Sequence, residues 1–217
     1  MKGSLRDKIR GYVPFTNWWY LWQKLDKSAL SILDLGCGNG GKPMQFLNRN
    51  RCFYTVGIDG FQPYIAQCHR ENSHDELVLG DIRNLPYEHN SFDIVLCMGV
   101  LEHLEKVEGD ALIKRMEAIA RKQIIVLTDI GEYVHGALDG NILQVHRYIW
   151  NLRELQEQGF KLYGLGIPHW YGETGFEHYL PKTLRGIAEL PLRMLTGWFV
   201  YSRPQYGGKV LCVKEVR

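Results

Sequence analysis

From Ser31 onward, short apolar runs rich in β-branched residues alternate with longer stretches of helical periodicity. Strands separated by whole helices cannot pair as hairpins, so this rhythm points to a parallel sheet with helices on both faces. Strands are expected at 32–35, 54–58, 77–79, 92–97, 123–128 and 161–164, with a last one at 209–215. Pro43 and Pro63 stand near the starts of helices expected over 43–49 and 63–71, where a missing N–H costs nothing. Leu112, Met116 and Ile119 recur at helical spacing among charged residues and mark a helix lying on the sheet. Asn151 and Glu154 form a capping pair for a helix over 152–158, which Gly159 would stop. The expected fold class is α/β, a doubly wound sheet in three α/β/α layers.

A chain of 217 residues buries one full core more readily than two, so a single domain over 1–217 is expected. With 45% hydrophobic and 23% charged residues, the composition is that of an ordinary globular protein. A net charge of +2 and the lack of any long Lys/Arg run give no indication of a nucleic-acid partner. Five cysteines in separate segments, with no Cys-x-x-Cys pair, suggest neither a disulfide framework nor a zinc site, and the expected location is cytoplasmic. No transmembrane segment or leader is legible. A helix over 16–28 precedes the first strand and carries Trp18, Trp19, Tyr20 and Trp22. Covering the core is its first reading; lining the ligand site or touching a membrane surface stays open.

Two connections exceed ordinary turns, 129–148 and 167–207, and long loops in compact domains usually serve as lids or binding loops. The second is read as a substrate-covering insertion. It holds His169, Trp170, Tyr171, Phe176, Tyr179, Trp198, Phe199 and Tyr201, enough either to wall a pocket or to bury a small subdomain.

At the end of the first expected strand stands Asp34-Leu35-Gly36-Cys37-Gly38-Asn39-Gly40-Gly41. A strand, a glycine turn and a helix in succession direct backbone N–H groups and a positive helix end at an anionic ligand. Gly36, Gly38 and Gly41 fit a dinucleotide pattern, and Gly36, Gly41 and Lys42 fit most of a triphosphate pattern. A triphosphate site needs a hydroxyl after the lysine to hold magnesium, and Pro43 stands there. A dinucleotide site would use Asp59, about 20 residues on, for ribose hydroxyls, yet so would any adenosine ligand.

Asp34 and the segments that follow separate these alternatives. The glycine run, then Gly57-Ile58-Asp59, Gly80-Asp81-Ile82, and Leu85-Pro86-Tyr87-Glu88-His89-Asn90-Ser91-Phe92-Asp93-Ile94-Val95, resemble the ordered motifs of class I S-adenosylmethionine-dependent methyltransferases. The resemblance covers about 31–165. It implies a Rossmann-like sheet of seven strands, mostly parallel with the last antiparallel, and S-adenosyl-L-methionine as cofactor. By that resemblance Gly36 and Gly38 approach the methionine moiety, Asp34 holds its amino group, Asp59 grips the ribose, and Asp81 with Ile82 takes the adenine. Cys37, Gly60 and Met98 are implied to complete the cofactor site. Lys42 reads first as a solvated lysine and second as a partner for the ligand carboxylate.

Methyl transfer is a direct displacement at a carbon on cationic sulfur, so alignment of donor and acceptor is much of the catalysis. Oxygen and some nitrogen acceptors must also lose a proton. Cys97-Met98-Gly99-Val100-Leu101-Glu102-His103 brings an imidazole and an acid to the sulfonium end, making His103 the first candidate base and Glu102 its companion, with a capping role as the alternative. The segment is also similar to ubiquinone-pathway and small-RNA 2′-O-methyltransferases, whose E-x-x-E-H supplies metal ligands. Gly99 replaces the first acid, and no metal is assigned. His146 and Arg147, before the capped helix, are candidates to hold an acceptor carboxylate or phosphate, with His146 a second candidate base and surface loop residues making structural hydrogen bonds as the alternative. The expected activity is methylation of a small-molecule acceptor at oxygen or nitrogen. A non-catalytic S-adenosylmethionine-binding or partner-binding protein is the alternative, and a nicotinamide-dependent dehydrogenase the lesser one. Neither the acceptor nor an oligomeric state is legible.

Overall fold

The computed structural model describes residues 13–40, 42–50, 53–131, 137–166, 179 and 181–216. Its seven strands are β1 (Ser31–Leu35), β2 (Tyr54–Asp59), β3 (Glu76–Leu79), β4 (Phe92–Met98), β5 (Ala120–Asp129), β6 (Lys161–Leu165) and β7 (Lys209–Glu215). They form one sheet in the order β3-β2-β1-β4-β5-β7-β6. The ladders from β3 through β5 are parallel, and β7 runs antiparallel to both β5 and β6.

Around the sheet lie α1 (Asn17–Lys24), α2 (Lys42–Asn50), α3 (Gln62–Glu71), α4 (Lys106–Ile119), α5 (Leu152–Glu157) and α6 (Lys182–Ser202). Side chains on a strand alternate between faces, and both faces here are apolar because both are covered. Leu33, Val95, Cys97, Ile124 and Val126 pack with Leu112, Ile113 and Met116 of α4. Ile32, Ile94, Leu96, Ile125 and Leu127 pack with Tyr20 and Leu21 of α1 and Met44 and Leu47 of α2. Asn151 and Glu154 make the expected reciprocal cap on α5. Among the described residues, no helix is long and apolar enough to cross a membrane.

Two expectations change. The helix expected over 16–28 ends at Lys24: Leu25 is extended at ψ 134°, and the Asp26 carboxylate accepts the Ser28 N–H at 2.7 Å in a turn that feeds β1. Its aromatics cover the core, with Tyr20 buried and Trp18 and Trp22 against Phe46 of α2. The connection over 167–207 is in large part the 21-residue helix α6. Tyr201 of α6 stacks on Tyr163 of β6 at 5.1 Å between centroids, and a Cβ at Gly164 would meet the Val200 carbonyl oxygen at 2.3 Å. The described part of the connection thus lies on the β6 edge of the sheet. His169, Trp170, Tyr171 and Phe176 lie outside the described residues, as do Gly41, Cys52 and the side chain of Lys42.

Candidate active site

The chain leaves β1 for β2 and β3 on one side and returns to β4 on the other, so a crevice opens at the carboxyl ends of β1, β2 and β4. A cavity of about 760 Å³ occupies it. Asp34, Gly36, Cys37 and Gly38 line it from the end of β1, Asp59 and Gly60 from β2, Asp81 and Ile82 from β3, and Met98 and His103 from β4 and the turn after it. Every cofactor-site residue expected from the sequence therefore faces one space.

The glycine turn has the backbone such a turn requires. Gly36 and Gly38 adopt φ of +66° and +63°, and a Cβ on Gly36 would stand 2.4 Å from the Val100 side chain. Asp59 braces the turn from β2, one carboxylate oxygen accepting the Gly38 N–H at 2.9 Å and the other the Phe61 N–H at 2.8 Å. Burial raises its pKa, against the pull of those two donors.

Asp34 is buried and paired with His74, whose Nε2 lies 3.2 Å from Asp34 Oδ2. The other ring nitrogen meets the Ser73 hydroxyl at 2.8 Å. Burial opposes a charge on His74, but Asp34 and the nearby Cys68 sulfur outweigh it and raise the imidazole pKa to about 9. His74 was not singled out from the sequence. It carries no motif, and it reaches Asp34 across Gly57, where a Cβ would meet its ring at 3.0 Å.

Asp81 stands half-exposed at the rim, both oxygens taken by the Arg83 guanidinium, which also binds Glu108 at 2.7 Å. The guanidinium holds the Asp81 carboxyl below its ordinary range. Three acids on successive strand ends suit a ligand carrying cationic groups and ribose hydroxyls.

At the β4 end, Leu101–His103 form one 3-10 turn, pinned where the Trp150 indole donates to the Leu101 carbonyl at 3.2 Å. His103 faces the cavity, whereas Glu102 points into the protein and accepts the Thr128 hydroxyl at 2.9 Å. The Glu102 carbonyl accepts the Arg147 and Tyr148 N–H groups, which brings His146 behind His103 with ring centroids 4.9 Å apart. Burial, then the neighbouring Asp129, push the Glu102 carboxyl up to about 7. His146 Nε2 lies 4.0 Å from Asp129 Oδ2, and Lys209 Nζ lies 2.5 Å from Asp129 Oδ1. Glu102, His103 and His146 each bring a donor atom within 4.8 Å of the others, close enough together to hold a divalent cation.

The connection after β5 roofs the cavity through Leu138, Asn141, Leu143, Gln144 and Arg147. Tyr64 at the start of α3 donates to Asp139 at 3.0 Å and ties this roof to the β2 side of the cavity. Arg147 faces Glu105 at 3.6 Å. Tyr64, Asn141 and Leu143 were not anticipated as lining residues; only the length of the connection signalled that it would cover something.

Residues 33–124 match the family model described as a methyltransferase domain, and this stretch holds the strand-end residues of the cavity from Asp34 to His103 but not the roof after β5. Over this stretch the chain carries a methyltransferase domain, and the whole sheet has the fold of solved S-adenosylmethionine-dependent methyltransferases. The chain is 26% identical over 137 residues to an uncharacterised protein of Methanocaldococcus jannaschii, a match that covers 63% of this chain and spans only 57% of that relative's length. It shares its fold with the methyltransferase in complex with the Trm112 methyltransferase activator of Haloferax volcanii, at TM-score 0.62 and 17% identity over 98% of this chain and 97% of that one. A S-adenosylmethionine-dependent methyltransferase from Archaeoglobus fulgidus superposes at TM-score 0.57 and 15% identity, over 98% and 95% of the two chains.

Proposed function

We propose that this methyltransferase moves the sulfonium methyl of S-adenosylmethionine to an oxygen or nitrogen of a small or medium-sized acceptor that enters beside His103. The observation that carries this reading is the gathering of the glycine turn, three strand-end acids and His103 around one cavity. In this reading Asp34 holds the methionine ammonium, with Gly36, Cys37 and Gly38 against the methionine chain. Asp59 and Gly60 take the ribose, and Asp81 and Ile82 the adenine. Met98 packs against the ligand near the sulfonium.

His103 takes the acceptor proton as the methyl moves, and the displacement leaves S-adenosylhomocysteine. His146 and Glu102 lie behind it and act as positioning residues. Glu102 fixes the backbone at Arg147 and Tyr148, and so sets where the His146 ring meets His103. Arg147, on the cavity wall, suits an acceptor bearing a carboxylate or phosphate.

Incubation of the protein with S-adenosylmethionine and a metabolite extract tests the activity by intact-mass detection. A cofactor-dependent gain of one methyl group by an extract component is expected; no such gain across extracts, from protein that binds the cofactor, would sink the catalytic reading. With the acceptor in hand, His103→Gln should lower kcat by roughly a hundredfold or more while leaving S-adenosylhomocysteine affinity intact.

A further inference from the structure

We propose that Cys37 and Cys68 are an oxidisable dithiol built into the cofactor loop, and that closing it to a disulfide disables cofactor binding. The inference rests on the cofactor reading of the cavity. Cys37 lies between the two positive-φ glycines of the turn and lines the cavity, while Cys68 lies on α3 beneath it. Their sulfurs are 3.9 Å apart in a small apolar seat shared with Ile65. The other described cysteines, Cys97 and Cys212, are buried within the sheet.

The surroundings favour ionisation of Cys68, while hydrogen bonding to Cys68 and burial hold the Cys37 thiol up. Cys68 contacts His74, itself paired with Asp34, so an imidazole stands beside the Cys68 sulfur when its thiol gives up its proton. Hydrogen bonding from Cys37 and from His74 pushes the Cys68 thiol down. A small oxidant enters through the cavity that Cys37 lines, and bound cofactor fills that route.

A disulfide requires the sulfurs to close to about 2.05 Å. The glycine-flanked Cys37 is the freer partner, since α3 is seated by buried Tyr64 and Ile65. Drawing Cys37 toward α3 displaces Gly38, whose N–H is held by Asp59 and whose carbonyl accepts the Cys68 thiol at 3.2 Å. Both the turn and its brace then leave the geometry the ligand needs.

Diamide is a suitable probe. The thiolate adds to one azo nitrogen, forming an S–N bond as the other nitrogen takes a proton. The second sulfur then attacks the first, the S–N bond breaks, and the reduced hydrazine leaves with the remaining thiol proton. Two thiols are oxidised by two electrons and the azo group is reduced by two.

The ligand-free protein is treated with diamide, alkylated without reduction and mapped by mass spectrometry. A linked Cys37–Cys68 peptide is expected, forming roughly tenfold more slowly under saturating S-adenosylhomocysteine. The oxidised protein should bind S-adenosylhomocysteine roughly tenfold more weakly or worse, dithiothreitol should restore the affinity, and the affinity of Cys68→Ala should be indifferent to diamide. If that variant does not fold, the peptide map and affinity of the unaltered protein decide alone. No linked peptide in a protein that binds S-adenosylhomocysteine overturns the dithiol; a linked peptide with affinity unchanged, or with no protection by ligand, overturns its coupling to the cofactor. No binding by the reduced protein overturns the cofactor reading itself.

Discussion

Asp34 reaches the cavity with one carboxylate oxygen already held by His74, and Asp59 with both oxygens bracing backbone N–H groups. Such prior engagement fixes the acids before a ligand arrives, which lowers the ordering cost of binding. It also ties His74 to stability. A histidine whose pKa rises from 6.5 unfolded to about 9 folded contributes stability that is fully present below pH 6.5 and is lost as pH rises through about 9. Urea unfolding of the unaltered protein and of His74→Gln should therefore differ by on the order of 2 kcal/mol near pH 6, with the gap closing by pH 9.5. A gap independent of pH would mean that His74 is not a charged partner of Asp34. The three acids and His103 were legible because each follows a strand or glycine signal of its own. His74 was not, because its role depends on the register that sets Asp34 opposite Gly57.

Among the elements, the strands were the most legible, because short continuous apolar runs rich in β-branched residues report a sheet covered on both faces without knowledge of its order. Helix α6 was hidden by Gly186, Pro191 and Gly197, which read locally as breakers. Packing sustains it: Tyr201 lies on Tyr163, Val200 over Gly164, and the Phe15 ring fills the place where a side chain on Gly197 would stand. Pro191 lies inside this helix on its exposed side, and an interior proline removes a helical hydrogen bond. Pro191→Ala should stabilise the protein by roughly 1–3 kcal/mol, read as a rise in thermal midpoint with cofactor affinity unchanged. A lowered midpoint would show that the proline shapes a bend the packing needs. The roof after β5 was legible only as excess length, since Tyr64 and Asp139 meet across 75 positions of sequence.

At the scale of the whole molecule, the reversal of strand order at β1 places the ends of β1, β2 and β4 around one crevice, and the connection after β5 closes it. A ligand that spans these elements should stabilise them together. S-adenosylhomocysteine at about a hundredfold its Kd should add about 2.7 kcal/mol to unfolding. The most direct test of the cofactor site is calorimetric titration of S-adenosylhomocysteine into the unaltered protein and into Asp59→Ala, with circular dichroism verifying that both are folded. One ligand per chain should bind, with affinity at least roughly tenfold weaker in the variant. No binding by the folded, unaltered protein, or equal affinity in the two, would contradict the account.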